Sequence, residues 1–293
     1  MSDQDRYIPG VPCWADTPQP DPQAAVAFYG ELFGWQFEDV MPPDAPVRYF
    51  VARRGGGDVA AVGTQADGAP PHAAWRTYVW VTDAEETADK VRAAGGRVLR
   101  EPSDVGDQGR MAVCADPEGA AFCLWEAHTH RGAGVVNEHG SVNFNDLHTR
   151  DLDGARRFYG AVFGWETLDM DGWFAWALPG YGDFLEARRP GMRAGMAEMG
   201  APTRFEDVVA TLQLIPGDQA DLPPHWGITF AVDDADAIAA RVPELGGRVA
   251  VAPFDAPWVR MTVITDPQGV TFTASQFVPE NRNAQASGAA AGA

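Results

Sequence analysis

Nearly the same eight residues occur twice in this chain of 293 residues. The first copy, FYGELFGW, occupies residues 28–35, and the second, FYGAVFGW, occupies residues 158–165. The similarity runs on without a gap toward the N-terminus, where WADTPQ from Trp14 matches FNDLHT from Phe144. Two copies that keep this register indicate that one structural module is written twice.

The repeat also continues downstream of the octamers. Each copy contains a Gly-Gly pair, at 95–96 and 246–247, and an Asp-Pro-x-Gly sequence, at 116–119 and 266–269. Asp-Pro-x-Gly is typical of a tight turn, because Pro presets φ and Gly supplies a positive φ. The repeat predicts a first module, a linker, a second module and a disordered tail of small polar residues, over residues 8–127, 128–140, 141–277 and 278–293.

Both modules show the same order of elements. A short apolar strand opens each module, and an amphipathic helix follows, with Phe28 and Tyr29 of the first octamer at core-facing spacing. Gly34 and Gly164 are predicted to end the two helices with a positive φ. Weaker strands, a second helix and two final strands complete a βαβββ order. The sequence therefore predicts an α+β protein in which the octamers are helix cores with their caps.

Charge and cysteine content exclude several classes of protein. The chain carries 41 acidic against 22 basic residues, for a formal net charge of −19. Binding to nucleic acid or to an anionic membrane needs basic patches, so neither partner is expected. The sequence shows no signal pattern and no stretch of the ~20 apolar residues that a membrane span needs. Its three cysteines are too few and too widely spaced to indicate a disulfide framework, which suits a reducing compartment. We therefore expect a cytoplasmic protein.

The duplicated order, with the marks FYGELFGW, AGGRV and DPEG, resembles the vicinal oxygen chelate superfamily, which includes glyoxalase I, bleomycin-resistance proteins and extradiol dioxygenases. PCWADT and the GRM and DPEG marks are similar to those of two-module actinobacterial proteins of the mycobacterial 27-kDa antigen type, often labelled hydroxylases. The resemblance implies two cupped mixed sheets, with helices on their convex faces, that pair within one chain. It also implies a monomer, or a homodimer that needs no partner to complete this pairing.

The resemblance identifies the strand positions from which metal-using members draw His, Gln or Glu ligands. In this sequence the six positions hold Cys13, Arg76, Cys123, Asn143, Gly227 and Thr273. Arg repels a cation, and thiolates favour soft metals. We therefore expect a metal-free cavity and no cofactor. The alternative is a metal-dependent lyase or dioxygenase with ligands displaced to His72, Glu126, His148 and His225.

The same strand positions predict which side chains line the cups. Arg76 is a candidate anion clamp and Tyr78 a candidate hydrogen-bonding acid, and the two form the predicted catalytic pair. Trp80 and Trp125 are expected to stack on a planar ring. The other candidate ligand contacts are Cys13, Cys123, Asn143, Asn145, Thr229, Thr273 and Ser275. The alternative is that the aromatic residues only fill the sheet interface.

Apolar walls with a few fixed polar groups are typical of a small-molecule pocket. The sequence therefore favours a metal-free protein that sequesters an aromatic or polyketide-like compound, or acts on it by acid–base chemistry, in secondary metabolism or resistance. A stress or regulatory protein whose cup binds a signal compound is a further alternative. The sequence contains no nucleophile elbow, phosphate loop or clean dinucleotide fingerprint that supports another chemistry.

Overall fold

The computed structural model describes residues 7–66, 74–170, 173–217, 219 and 221–284. In the first repeat the elements are β1 (Pro12–Gln19), α1 (Pro22–Phe33), β2 (Gln36–Asp39), β3 (Tyr49–Arg54), β4 (Gly57–Thr64), β5 (Arg76–Trp80), α2 (Ala84–Ala93), β6 (Arg97–Val105), β7 (Gly109–Ala115) and β8 (Ala121–Ala127). The order βαβββ thus occurs twice within this repeat.

The second repeat follows the same order with added helices. Its elements are β9 (Ser141–Thr149), α3 (Leu152–Phe163), β10 (Glu166–Asp169), β11 (Phe174–Ala177), α4 (Tyr181–Arg188), α5 (Met192–Met199), β12 (Val208–Leu214), β13 (His225–Ala231), α6 (Ala235–Glu244), β14 (Arg248–Ala256), β15 (Val259–Thr265) and β16 (Thr271–Phe277). The strands belong to two eight-stranded mixed sheets, β1–β8 and β9–β16. The predicted α+β fold of two tandem modules is confirmed.

The Cα framework divides into two compact units that differ from the repeats. Of the described residues, unit 1 comprises those within 7–13, 78–132 and 145–226, and unit 2 comprises those within 14–77, 133–144 and 227–284. Unit 2 therefore combines the first βαβββ segment with most of the fourth, and unit 1 combines most of the second with most of the third. The module boundaries derived from the repeat stay a prediction.

Each unit contains two four-stranded half-sheets. In unit 2 their strand orders are β2-β3-β4-β1 and β13-β16-β15-β14, and in unit 1 they are β10-β11-β12-β9 and β5-β8-β7-β6. In unit 2, β1 is parallel to β4 with Asp16 opposite Ala61, and β13 is parallel to β16 with Thr229 opposite Thr273. The core of unit 2 packs α1 and α6 against strand residues such as Phe272.

The first octamer belongs to the core of unit 2. As predicted, α1 ends at Gly34, whose φ of 70° lies in the left-handed region. On the buried face of α1, the Tyr29 hydroxyl donates a hydrogen bond to the Asp266 carboxylate at 2.9 Å. Gln19 Nε2 donates to the same carboxylate oxygen at 2.8 Å. Asp266 belongs to the Asp-Pro-x-Gly turn of the second repeat, so the first octamer is completed by a residue of the other copy.

The second octamer is likewise completed by a residue of the other copy, inside unit 1. α3 ends at Gly164, with φ of 73°, again as predicted. The Tyr159 hydroxyl donates to Asp116 of the first repeat at 3.1 Å. Burial, followed by the Asp116 charge, raises the pKa of Tyr159 well above its ordinary value, so its hydroxyl stays protonated and donates. Burial also raises the pKa of Asp116, against the hydrogen bonds that its carboxylate accepts.

The second repeat contains an insertion that the sequence did not predict. α4, α5 and a 3-10 helix over Phe205–Asp207 separate β11 from β12, where the first repeat has only the turn Gly55–Gly56 between β3 and β4. Arg193 joins the insertion internally through Asp183 at 2.8 Å and Glu206 at 3.1 Å. These pairs explain how a segment with few buried residues keeps a defined geometry.

The segment after β16 is ordered at its start. The sequence predicts disorder over 278–293, but Pro279–Asn283 form a 3-10 helix. Asn281 donates its side-chain amide to the Val259 carbonyl oxygen at 3.1 Å and to Asp255 at 2.9 Å. These bonds tie the segment to the β14–β15 hairpin. Residues 285–293 lie outside the described residues.

Candidate functional site

A charged cluster lies in unit 2 and draws its residues from β1, β3 and the first residue of β5. Asp16, on β1, accepts two hydrogen bonds of 2.7 Å from Arg76, one from Nε and one from Nη2. The Tyr49 hydroxyl donates to Asp16 Oδ2 at 3.2 Å, and Trp14 Nε1–H donates to the Tyr49 oxygen at 3.1 Å. We refer to these four residues as the charged cluster.

The charged cluster holds Arg76, the predicted anion clamp, in a defined orientation. The Asp16 side chain is 1 % exposed and that of Arg76 is 32 % exposed, so a buried carboxylate holds a partly accessible guanidinium. Two parallel N–H···O bonds set the orientation of the guanidinium plane. Burial, followed by the Asp16 charge, raises the pKa of Tyr49 well above its ordinary value, so the phenol stays protonated. Arg76 is therefore a positioned cation whose charge is largely balanced by Asp16.

An aromatic cluster lies in unit 1 and contains the predicted acid Tyr78 and the two predicted stacking residues, Trp80 and Trp125. The rings of Tyr78 and Trp125 meet edge to face with centroids 6.3 Å apart, and both residues are buried. Trp125 Nε1–H donates to the His130 carbonyl oxygen at 3.0 Å. Tyr7 stacks on Trp80 with centroids 6.1 Å apart. The linker and the segment before β1 thus cover these rings, which favours the alternative that the aromatic residues fill space.

The two predicted cysteine contacts are also in unit 1 and are buried. Cys13 is 2 % exposed, and its thiol donates to the Tyr78 carbonyl oxygen at 3.5 Å. Burial raises the pKa of Cys13 far above its ordinary value, and the adjacent Cys123 thiol raises it further. Thiols bind metals and react as nucleophiles in the thiolate form. A thiol that stays protonated fits neither role.

A hydroxyl face in unit 2 gathers three other predicted contacts, Thr229, Thr273 and Ser275. Thr229 on β13 pairs with Thr273 on β16, and Ser275 follows two residues later on the same strand face. Thr229 and Ser275 are buried, and Thr273 is partly exposed. The opposite face of β16 is apolar and belongs to the core. The hydroxyls therefore lie on the face directed away from that core.

The predicted asparagine contacts lie on β9 and fall in different units. Asn143 belongs to unit 2, and its Nδ2 donates to Asn137 Oδ1 at 3.0 Å. Asn137 itself has a positive φ of 60°, which an Asn tolerates better than most residues. Asn145 belongs to unit 1 and is buried. Neither position adds a carboxylate or an imidazole to a metal site.

Glu126, His148 and His225, the described residues of the displaced-ligand alternative, do not assemble into a site. Glu126 accepts a hydrogen bond from the Ala84 N–H at 2.9 Å, so it caps α2, and its Oε1 lies 3.9 Å from the Nε2 atom of His128. His72 lies outside the described residues. His148 and His225 do meet in unit 1, as rings stacked at 4.5 Å with 4° between their planes.

The stacked histidines are poorly arranged for metal binding. An imidazole binds a metal ion in its own ring plane at about 2.0–2.1 Å, and two parallel stacked rings share no such position. In the described part of the chain, no group of three or more His, Cys, Asp or Glu residues could hold a metal ion. The family positions fit a metal no better, because Arg76 pairs with Asp16 and Gly227 has no side chain.

The histidine pair makes stability depend on pH. Burial, followed by the neighbouring His225, lowers the pKa of His148 to about 3. In the unfolded chain the pKa of a His is about 6.5. Between about pH 6.5 and the lower pKa of the folded state, the unfolded chain binds a proton that the folded protein does not, so stability falls as the pH drops. The slope is about 1.4 kcal/mol per pH unit. We expect the stability difference between the wild type and His148→Gln to shrink by about 2 kcal/mol from pH 7.5 to 5.0.

Urea denaturation at both pH values measures this difference, and the acidic residues common to both proteins cancel in it. A difference that is the same at pH 7.5 and 5.0 would mean that His148 does not stay neutral in the folded protein.

The sequence argument missed the residues that hold Arg76. Asp16, Tyr49 and Trp14 carry the charged cluster, yet none was a candidate. A signal was present in the repeat, because the gapless match places Asp16 of WAD over Asp146 of FND. Asp146 is also buried, and it accepts a hydrogen bond from Thr211 at 2.5 Å. An acidic residue kept at the same strand position of both copies indicates a buried acceptor.

Both repeats are similar to known proteins. The family model of the glyoxalase/bleomycin resistance protein/dioxygenase superfamily matches residues 15–124 and 141–273. A putative glyoxylase, CFP32 from Mycobacterium tuberculosis, is 37 % identical over 283 residues, covering 96 % of this chain and 100 % of the relative. The anthracycline biosynthesis protein DnrV from Streptomyces peucetius is 34 % identical over 281 residues, covering 92 % and 94 %.

A solved structure agrees with the fold. The Mn(II)-bound glyoxalase from Novosphingobium aromaticivorans has a TM-score of 0.57 and 16 % identity, with 91 % of this chain and 82 % of that chain covered. At this identity the likeness concerns the fold alone. The resemblance inferred from the repeated motifs is confirmed. Among the described residues, none of the helices has the length and apolar character that crossing a bilayer requires.

Proposed function

This chain belongs to the glyoxalase/bleomycin resistance/dioxygenase superfamily, and we propose that within it the chain binds a planar aromatic, polyketide-like compound without using a metal, either to sequester the compound or to act on it. The similarity to DnrV, an anthracycline biosynthesis protein, supports an aromatic polyketide as the class of ligand. The charged cluster carries the metal-independent part of the proposal, because an arginine paired with a buried carboxylate stands at a family ligand position.

The role proposed for Arg76 follows from its geometry. Its guanidinium is held in a fixed plane, and about a third of the side chain is accessible to solvent. A guanidinium in this state is a directional donor for a carboxylate, a phenolate or a quinone carbonyl. Because Asp16 balances most of its charge, the gain for an anionic ligand lies at the low end of the range for charged hydrogen bonds, about 1.5 kcal/mol.

A pair of matched probes tests this proposal. Anthraquinone-2-carboxylate and anthraquinone-2-carboxamide share a planar ring system and differ in charge. We expect both to quench tryptophan fluorescence of the wild type, and Arg76→Gln to weaken the carboxylate by about tenfold while changing the carboxamide little. Arg53→Gln is the control, since Arg53 belongs to an exposed ion pair with Asp58 in the same unit.

Two results would count against the proposal. Failure of the wild type to bind either probe would remove the aromatic ligand class. Equal weakening of both probes by Arg76→Gln would contradict charge recognition by Arg76 if the variant keeps the wild-type fold. Far-UV and near-UV circular dichroism of the variant and the wild type shows whether the fold is kept.

A further inference from the structure

Two aromatic rings, Phe277 exposed and Trp258 partly exposed, form a surface at the end of β16 in unit 2. Phe277, the last residue of this strand, is 57 % exposed, the largest fraction among the large apolar residues in the described part of the chain. Its ring is parallel to that of Trp258 within 3°, with centroids 6.3 Å apart. We refer to Trp258 and Phe277 as the aromatic shelf. A single exposed ring needs no explanation, but two aligned rings form a surface onto which a planar molecule can stack.

The backbone of Trp258 is held in an unfavourable conformation. Its φ of 70° lies in the left-handed region, where a bulky side chain is an outlier. The corresponding hairpin of the first repeat, between β6 and β7, has a turn one residue longer and places a glycine, Gly106, at its positive φ of 54°. A glycine adopts this conformation without steric cost. Trp258 therefore adopts a backbone conformation that favours glycine, and strain of this kind is found at functional sites.

Hydrogen bonds from the following segment hold the strained residue in place. The Trp258 N–H donates to the Asn281 carbonyl oxygen at 3.2 Å, and the Val278 N–H donates to the Trp258 carbonyl oxygen at 2.7 Å. The guanidinium of Arg282 lies 5.3 Å from the centroid of the Trp258 ring. This cation–π contact and the two backbone bonds fix the ring orientation. The shelf is therefore preorganised, which lowers the entropic cost of binding a rigid ligand.

The aromatic shelf continues the hydroxyl face. Residues two apart on a strand share a face, so Phe277 lies on the same face of β16 as Thr273 and Ser275. Phe277 is paired across to Val259, which directly follows Trp258. On this face the Thr273 hydroxyl is partly exposed and Ser275 is buried, so Thr273 and the parallel aromatic pair together match a flat, fused-ring compound with oxygen substituents at one edge. Such a compound accepts or donates hydrogen bonds at that edge and stacks through its rings.

We propose that the aromatic shelf binds fused-ring aromatic ligands that carry hydroxyl or carbonyl groups, by stacking against Phe277 with Trp258 as its support. This inference rests on the proposed function, because it names a second contact for the same class of ligand. It assigns to Trp258 and Phe277 a role that neither Arg76 nor the charged cluster supplies. Stacking acts on the ring system, so it is independent of ligand charge.

The affinity of the neutral probe, anthraquinone-2-carboxamide, reports stacking on the aromatic shelf without a contribution from charge recognition by Arg76. We expect Phe277→Ala and Trp258→Gly to raise its dissociation constant by about tenfold in a calorimetric titration of the full chain. Phe277→Tyr retains the ring and is expected to bind as the wild type does. Leu214→Ala removes a similarly exposed apolar residue of unit 1, 56 % exposed, and is expected to change nothing. Trp258→Gly also relieves the left-handed strain, so this variant folds.

The outcomes separate the shelf from the proposed function. Wild-type affinity of Phe277→Ala and Trp258→Gly for the carboxamide, with the wild type itself binding, would overturn the shelf and leave the proposed function intact. No binding of either anthraquinone probe to the wild type would overturn both. Selective weakening by the two shelf variants, with Phe277→Tyr and Leu214→Ala unchanged, would support both.

Discussion

Asp16→Ala is expected to lower the free energy of unfolding by about 2–4 kcal/mol. The substitution removes the acceptor of two 2.7 Å bonds from Arg76 and of the 3.2 Å bond from Tyr49. It leaves a guanidinium and a phenol without their buried partner. The expected loss is below that for a fully buried pair, because the Arg76 side chain is 32 % exposed and water partly replaces the carboxylate. Urea denaturation measures the loss.

Two further variants test the cause of this loss. Asp58→Ala removes the partly exposed carboxylate that pairs with the exposed Arg53 at 2.8 Å, and should cost at most about 1 kcal/mol. Asp16→Leu combined with Arg76→Met removes both charges, and should be more stable than Asp16→Ala because no unpaired charge is left. An Asp16→Ala protein as stable as the Asp58→Ala protein would contradict the charged cluster as described.

Asp266→Ala is expected to lower the free energy of unfolding by about 3–4 kcal/mol. The Asp266 carboxylate accepts hydrogen bonds from the side chains of Tyr29 and Gln19 at 2.9 and 2.8 Å, and from two backbone N–H groups of its own turn, each at 2.9 Å. At 4 % exposure the site offers these donors little water as a replacement. The loss therefore combines several unsatisfied buried donors.

Variants of the tyrosine partners separate the bonds within the Asp266 turn from the hydrogen bond that joins the two repeats. Tyr29→Phe removes one donor and should cost about 1–1.5 kcal/mol, and Tyr159→Phe should cost about the same in unit 1. Because Tyr29 and Asp266 are in contact, the effects of Tyr29→Phe and Asp266→Ala should overlap in the double variant. Full additivity in thermal or urea unfolding would show that the pair does not couple the two repeats.

Local patterns in the sequence carried the fold prediction. Helix ends at Gly34 and Gly164 follow from the backbone freedom of glycine, and their positive φ values confirm it. The Asp-Pro-x-Gly turns, the core-facing octamers and the two modules follow from short motifs in the same way. The insertion of α4 and α5 escaped this reasoning, because its glycines, arginines and methionines give no consistent apolar stripe.

The sequence alone did not predict which distant residues contact each other. Tyr29 and Asp266 are 237 positions apart, and the repeat alone places each octamer with the turn of its own copy. Arg76 and Asp16 are 60 positions apart, so the sequence suggested an unengaged cation where the structure has a bidentate pair. The strained Trp258 was also missed, because a tryptophan in a Pro-containing hairpin gives no sign of its backbone conformation. Tertiary contacts decide all three.

Metal dependence of ligand binding tests the central claim most directly. Anthraquinone-2-carboxylate can be titrated calorimetrically into protein treated with a chelator, with its metal content measured, and into the same protein loaded with Mn²⁺, Fe²⁺ or Zn²⁺. The charged cluster and the protonated Cys13 thiol predict the same affinity in every case, with no metal ion retained in stoichiometric amount. Binding that is lost on chelation and restored by one of these ions would contradict the metal-independent site.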